Sequence, residues 1–306
     1  MKIAIIGRTE ILYETVILLH NSGYKIVCIL TAKEAPEYTR KAADFKKLAQ
    51  SLDIPFAQGG RIEKLVDFLR NSGADIAVSM NYTGIIPQPI IDIFSNGILN
   101  AHGGDLPMYR GNACQAWAIL NGEERIGLCI HKMIGAELDS GDIIARDYIA
   151  IDHTTKITKV WQWMEKSTPL LFYEAIKKLD KQPDYILEKQ SKNPKDALRC
   201  YPRQPSDGKI DWFLQAIEVL RLINASNKPY SGAFCNFEND KMIIWDAQLV
   251  ETEENICGVP GQITMIAEDF IEVICGVGRL RILSVEIRGV IKTPSLFVNS
   301  TRKRLT

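Results

Sequence analysis

The chain has 306 residues, enough for one large core or for a domain of roughly 200 residues with a smaller companion. Hydrophobic residues make up 46% and charged residues 24%, the proportions of a globular domain rather than of a disordered chain. Thirty-seven Lys and Arg balance 37 Asp and Glu, which argues against the one-sided basic surface of a large nucleic-acid footprint.

Lys2-Ile3-Ala4-Ile5-Ile6 before Gly7 predicts a buried strand, and helical spacing over 10–21 predicts a helix ending before Gly23. Strand 26–31, helix 39–50, helix 61–71, strand 75–79 and strand 98–102 follow. Strands alternating with helices imply βαβ units around a mostly parallel, Rossmann-like sheet with helices on both faces. In such sheets ligands sit beyond the carboxyl ends of the strands. After a helix at 111–121, segments 127–133 and 142–150 alternate like an antiparallel pair, and 156–179 has helical periodicity. Residues 180–209, rich in Lys, Pro, Asp and Ser, read as a linker across the surface. A helix at 213–226 then precedes five short strands at 233–237, 241–247, 261–267, 270–275 and 279–287, the pattern of a small β-barrel of OB-like type. The expected fold is therefore α/β, with one domain over 1–204 and an accessory domain over 205–306. Arg302-Lys303-Arg304 reads as a solvated basic terminus.

Seven scattered cysteines without a CxxC pair read as free thiols of a reducing compartment. The first strand starts at residue 2 with no signal-peptide layout, and no apolar run approaches the roughly 18–20 residues a membrane span needs. A cytoplasmic location without membrane contact is expected.

Gly7 is followed by Arg8-Thr9-Glu10-Ile11-Leu12, so the three-glycine dinucleotide signature is absent and Gly7 reads as a tight strand-to-helix turn. Of four histidines, His20 and His153 fall at helix-end and turn positions. His131 alternates with Cys129 and Met133, where a packed or half-buried role is expected. His102 stands apart. It ends an apolar strand two residues after Asn100, and side chains at i and i+2 of a strand face the same way, so both can enter one pocket at the sheet's carboxyl edge. A zinc site of His102, Asp105 and Cys114 competes with that reading, but no tight ligand spacing repeats and no metal is expected. No G-x-S-x-G nucleophile motif occurs.

The stretch Asn100-Ala101-His102-Gly103-Gly104-Asp105-Leu106-Pro107-Met108-Tyr109-Arg110-Gly111, continued by Leu138-Asp139-Ser140-Gly141-Asp142, resembles the core of the folate-dependent formyltransferases. That family includes methionyl-tRNA, glycinamide ribonucleotide and sugar N-formyltransferases. The resemblance covers roughly residues 1–180. Pro205-Ser206-Asp207-Gly208-Lys209-Ile210-Asp211-Trp212 and Pro229-Tyr230-Ser231-Gly232-Ala233-Phe234 are similar to the accessory domain of the tRNA and sugar branches. It implies Asn100, His102 and Asp139 as catalytic residues and 10-formyltetrahydrofolate as cosubstrate. It further implies that Gly84-Ile85-Ile86-Pro87 and the loop Gly135-Ala136-Glu137-Leu138-Asp139 hold the pterin ring, and that the Arg110-Gly111 turn starts the next helix.

The chemistry suits these residue types. An amine attacking a formyl carbon builds negative charge on oxygen, which the Asn100 amide can receive. The amine must lose a proton and N10 of the folate must gain one, and an imidazole oriented by Asp139 can serve in both transfers. Departures from the tRNA branch concern the amine. Thr31-Ala32-Lys33-Glu34-Ala35-Pro36-Glu37-Tyr38-Thr39-Arg40-Lys41 is mixed in sign where a basic loop is usual, and Gly103-Gly104-Asp105 replaces Pro-Ser-Leu, with Asp105 set to repel phosphate. Tyr82, Tyr109 and Trp117 offer flat faces, and Tyr82, Asp105 and Tyr109 are candidate substrate contacts. The expected substrate is a nucleotide-linked amino sugar, as used in surface-glycan (O-antigen) biosynthesis. Methionyl-tRNA is the alternative, and an inactive scaffold serving as a binding subunit is the non-enzyme reading. Ile243-Ile244-Trp245 fits either a homodimer surface or an ordinary barrel core. Asn224 stands where relatives commonly carry arginine.

Overall fold

The computed structural model describes residues 1–251, 254 and 256–306. In chain order the first elements are β1 (Lys2–Gly7), α1 (Glu10–Asn21), β2 (Lys25–Thr31), α2 (Ala42–Ser51), β3 (Phe56–Gln58), α3 (Val66–Asn71) and β4 (Ile76–Met80). Next come α4 (Gln88–Ile91), β5 (Ile98–His102), β6 (Arg110–Gly111), α5 (Cys114–Asn121), β7 (Arg125–Lys132), β8 (Ile143–Ala150), α6 (Ile157–Lys181) and β9 (Arg199–Cys200). Seven strands form one sheet in the order β3-β2-β1-β4-β5-β7-β8. Pairings from β3 through β5 are parallel, and β7 joins β5 antiparallel.

The alternation along β1 explains why both faces are covered. Ile3 and Ile5 pack with Leu12, Val16, Phe45 and Phe172 from α1, α2 and α6, whereas Ala4 and Ile6 pack with Leu69, Ile90 and Phe94 on the other side. A strand buried on both faces is apolar at nearly every position, which is why β1 and β4 read as near-continuous runs, with Ser79 the small polar exception in β4. The topology reverses between β1 and β4, and their carboxyl ends, with that of β5, open toward the loops that carry the candidate residues.

Two features of this region differ from the sequence expectation. Helix α5 begins at Cys114, because Arg110–Gly111 forms a short strand paired with β9 instead of opening the helix. The segment expected as a surface linker over 180–209 is partly paired: Ile143 and Glu188 form an isolated bridge, and β9 lies on β6 in a separate two-stranded sheet.

The remaining elements are α7 (Ala216–Ala225), β10 (Ala233–Phe237), β11 (Asp240–Leu249), β12 (Ile263–Ile266), β13 (Ile271–Ile274), β14 (Arg279–Ile287) and β15 (Val290–Lys292). Strands β10-β11-β14-β13-β12 form an antiparallel sheet with β15 on β14, packed on the apolar face of α7. The basic C-terminus is not a free tail. Leu305 is buried and bridges Phe237 of β10, while Arg304 bridges Gln262 just before β12, so the last residues join the two ends of the sheet order. The chain forms two compact units: Met1–Cys114, Ile126–Ile149 and Trp161–Cys200 make one, and Gln115–Arg125, Ala150–Val160 and Tyr201–Thr306 the other. No helix among the described residues is long and apolar enough to cross a membrane.

Candidate active site

The site is built where β5 ends. Ile98, Leu99, Ala101 and His102 are buried and Asn100 is half-buried. The antiparallel register of β5 on β7 sets Asn100 opposite His131 and His102 opposite Cys129. Directly paired residues share a face of the sheet. Accordingly the Asn100 amide nitrogen lies 3.3 Å from His131 Nε2. His131 is buried, as a packed histidine would be, yet Nε2 is also 3.4 Å from Asp139 Oδ1, and Nδ1 lies 2.9 Å from the Lys132 carbonyl. It belongs to the cluster, and the sequence reading missed it. Its signal was the pairing register, which places it across from Asn100.

His102 is 7% exposed and held from two sides. Nε2 lies 2.6 Å from the Tyr109 carbonyl oxygen. A carbonyl only accepts, so Nε2 carries a hydrogen and donates it there. The other nitrogen, Nδ1, faces Asp139 Oδ2 at 3.5 Å. For the Tyr109 carbonyl to turn back onto the ring, Tyr109 adopts φ 55° and residue 104 has no side chain: a Cβ on Gly104 would lie 2.6 Å from His102 Nε2 and 2.3 Å from the Tyr109 oxygen. The loop after β5 is thus shaped around the imidazole.

Asp139 comes from the turn between β7 and β8. Its φ is 49° and that of Ala136 is 63°, a left-handed conformation that costs non-glycine residues on the order of 1 kcal/mol and concentrates at functional loops. The carboxylate accepts from the Gly111 N–H at 3.0 Å. Gln190 locks the turn from behind: its amide nitrogen donates to the Asp139 and Gly141 carbonyls at 2.9 and 2.6 Å, and its oxygen accepts from Arg110 at 2.8 Å. No local pattern in the sequence pointed to Gln190, which lies in the expected linker. Burial works to raise the Asp139 pKa, but the charge of His102, the hydrogen bond and charge of His131, and the Gly111 N–H together carry it well below the usual carboxylate range. The result is a buried carboxylate held ionised between two imidazoles.

The two segments expected to hold the pterin lie side by side. Gly135 N–H donates to Gln88 Oε1 at 2.8 Å, and a Cβ on Gly135 would stand 2.3 Å from the Gln88 nitrogen, so the loop 135–139 presses on the residue following Gly84-Ile85-Ile86-Pro87. Ile86 is buried in the core below, while Ile85 is 69% exposed and Ile134 is exposed too. Glu137 accepts from Ser140 within the loop, and Leu138 is half-buried. The residues proposed for substrate are placed differently from one another. Tyr82 is half-buried and donates to the Gly59 carbonyl. The Tyr109 ring is buried, and the carboxylate of Asp105 turns to Arg146 at 2.7 Å and to Tyr148 at 3.1 Å. The free thiol of Cys114 hydrogen-bonds with that of Cys200, so the three side chains of the zinc alternative have different partners. Trp117 belongs to the second compact unit, where its N–H donates to the Tyr201 carbonyl.

Comparison with known proteins gives the family. Residues 1–176 match the family described as formyl transferase. The chain belongs to that family. Residues 203–301 match the formyl transferase C-terminal domain. Family members use 10-formyltetrahydrofolate as cosubstrate. Among curated relatives, the methionyl-tRNA formyltransferase of Acetivibrio thermocellus is 27% identical over 291 residues, 94% of this chain and 92% of that one. The methionyl-tRNA formyltransferase of Citrifermentans bemidjiense is 28% identical over 302 residues, 96% and 92% of the two chains. Among solved structures, the sugar 3N-formyltransferase WlaRD with dTDP and 5-N-formyl-THF superposes with a TM-score of 0.69 at 19% identity, over 92% of this chain and 97% of that one. HypX from Aquifex aeolicus with tetrahydrofolic acid gives 0.65 at 16% identity; it covers 98% of this chain, which spans about half of HypX (47%).

Proposed function

We propose that this formyltransferase moves a formyl group from 10-formyltetrahydrofolate to the primary amine of a nucleotide-linked amino sugar, with Asn100, His102 and Asp139 as catalytic residues. The observation that carries the reaction is the cluster itself: an amide donor, an imidazole with one nitrogen tied down, and a buried ionised carboxylate meeting at the carboxyl end of β5. The paired backbones at 84–88 and 135–139, with exposed Ile85 and Ile134 beside them, suit a flat heteroaromatic ring read by main-chain groups. The folate supplies the formyl carbon. The Asn100 amide donates to the formyl oxygen as negative charge develops there. With Nε2–H held by the Tyr109 carbonyl, His102 exchanges protons at Nδ1, taking one from the attacking nitrogen and returning one toward N10 as the new C–N bond forms and the old one breaks. Asp139 stabilises the protonated ring and keeps it aimed.

The choice of amine is supported by the cations near the ends of β1 and β2. Arg8 donates to the carbonyls of Asn81 and Lys33, and Arg40 pairs with Glu14 and stacks on Tyr13, so these guanidinium groups serve the chain's own loops rather than standing free for a phosphate backbone. The full-length superposition on WlaRD, solved with dTDP, points the same way. The second reading, methionyl-tRNA, is favoured by the curated relatives that align end to end, and pairing with Arg146 offsets the charge by which Asp105 would repel phosphate. The test is formyl transfer against dTDP-, UDP- and GDP-linked amino sugars with methionyl-tRNA alongside. Turnover of a nucleotide sugar and not of the tRNA supports the first reading; turnover of the tRNA alone overturns it in favour of the second.

A further inference from the structure

The loop that shapes His102 is itself anchored by a residue far away in sequence. Arg146, on β8, is nearly buried and uses both terminal nitrogens of its guanidinium, while its Nε makes no hydrogen bond. One terminal nitrogen donates to Asp105 Oδ1 at 2.7 Å and to the Tyr148 hydroxyl at 2.8 Å. The other donates to the Leu106 carbonyl at 2.7 Å and pairs with Glu188 at 3.0 Å. Tyr148 closes the network by donating to Asp105 at 3.1 Å. Asp105 and Leu106 lie three and four residues beyond His102, in the loop that ends at the Tyr109 carbonyl. That carbonyl sits 2.6 Å from Nε2 and determines which ring nitrogen carries the fixed hydrogen.

We infer that Arg146 is a positioning residue for the transfer reaction: by clamping Asp105 and Leu106 it holds the Tyr109 carbonyl on His102 Nε2, leaving Nδ1 as the nitrogen that exchanges protons beside Asp139. The inference rests on the catalytic reading of His102 but concerns a property measurable without substrate. The guanidinium geometry matters because two acceptors on consecutive residues are held at once, one by each arm of the fork. Lysine offers a single ammonium and cannot reproduce that. Displacing a catalytic group by about 1 Å costs on the order of 100-fold in rate.

The experiment combines kinetics with 15N NMR of the imidazole, the His102 signal being assigned by its loss in His102→Gln. Wild type should show a single Nε2–H tautomer in the neutral state. Arg146→Met should show mixed tautomers, with kcat reduced roughly 10- to 100-fold, KM changed far less, and a shifted pH profile. Arg146→Lys should fall between the two. If Arg146→Met fails to fold, Asp105→Leu combined with Arg146→Met removes the paired charges together and should show the same mixed tautomers. A variant that keeps the single tautomer and the wild-type pH profile, losing activity only with the folded fraction, overturns the inference. Tautomer loss in a protein that transfers no formyl group to any acceptor would uphold the positioning role and defeat the proposed function instead.

Discussion

Both the parallel-sheet region and the antiparallel C-terminal sheet bury a carboxylate between basic side chains, and they do so for different ends. Glu272 on β13 is 2% exposed and lies 2.8 Å from Arg281 and 3.3 Å from Arg279, with Glu254 beyond at 3.0 Å from Arg279. Every cation there is a guanidinium, a planar fork of N–H donors that holds a carboxylate in place and takes no part in proton transfer. Asp139 instead faces His102 and His131, two imidazoles whose ring nitrogens can take up or pass on a proton. Buried charge alone therefore does not mark an active site. What distinguishes the two regions is whether the partners can give up a proton, and whether a strained loop presents them to an opening.

Substitutions can break that comparison. The largest expected effect is at His102: His102→Ala should lower kcat by roughly 100- to 10,000-fold per folded molecule, with the folded fraction checked by circular dichroism. Near-wild-type turnover would remove His102 from the mechanism. Asp139→Asn should cost somewhat less, on the order of 100-fold, and distort the pH profile of kcat. This change also has a stability signature. Because the native pKa of Asp139 is lowered, its ionised form contributes stability that is fully present above about pH 3.9 and is lost as pH falls through the native value. Urea unfolding should therefore find Asp139→Asn less stable than wild type at pH 7, with the gap narrowing below about pH 4; a gap independent of pH would mean that the carboxylate is not held by its charge. Asn100→Ala should reduce kcat by about 100-fold while folate affinity changes little, since the contact strengthens only as charge develops on oxygen. A pure loss of affinity would contradict the donor role. The smallest effect on chemistry belongs to the other region. Glu272→Ala should lower unfolding free energy by roughly 2–3 kcal/mol, somewhat below the cost of leaving a fully buried charge unpaired because Arg281 reaches water, and leave turnover per folded molecule unchanged. If Glu272→Ala lowered kcat at wild-type stability, the contrast between the regions would fail.

How much of this was legible in the sequence depends on the reach of the interaction. The strands β1, β2, β4 and β5 announce themselves because continuous or alternating apolar runs follow from two-sided burial, a local property. The three-residue β3 and the single-turn α4 carry too few residues for any period to register. Asn100 and His102 were identifiable together because a period of two within one strand settles which side chains share a face.

The residues around them were not. His131 enters the site through the register of β7 on β5, Gln190 through a turn 51 residues away in the chain, and Arg146 through a loop 41 residues away. Asp105 shows the same limit: as a letter it is an acid three residues after the candidate histidine, and only the fold pairs it with Arg146. The sequence by itself determined the alternating α/β architecture, the family core and the strand-end pair, since these follow from local periodicity and from motif order. The tertiary structure alone decided which nitrogen of His102 is held, what keeps Asp139 ionised and what becomes of Asp105. Those outcomes depend on contacts between residues that share no local pattern and meet only when the strands pair.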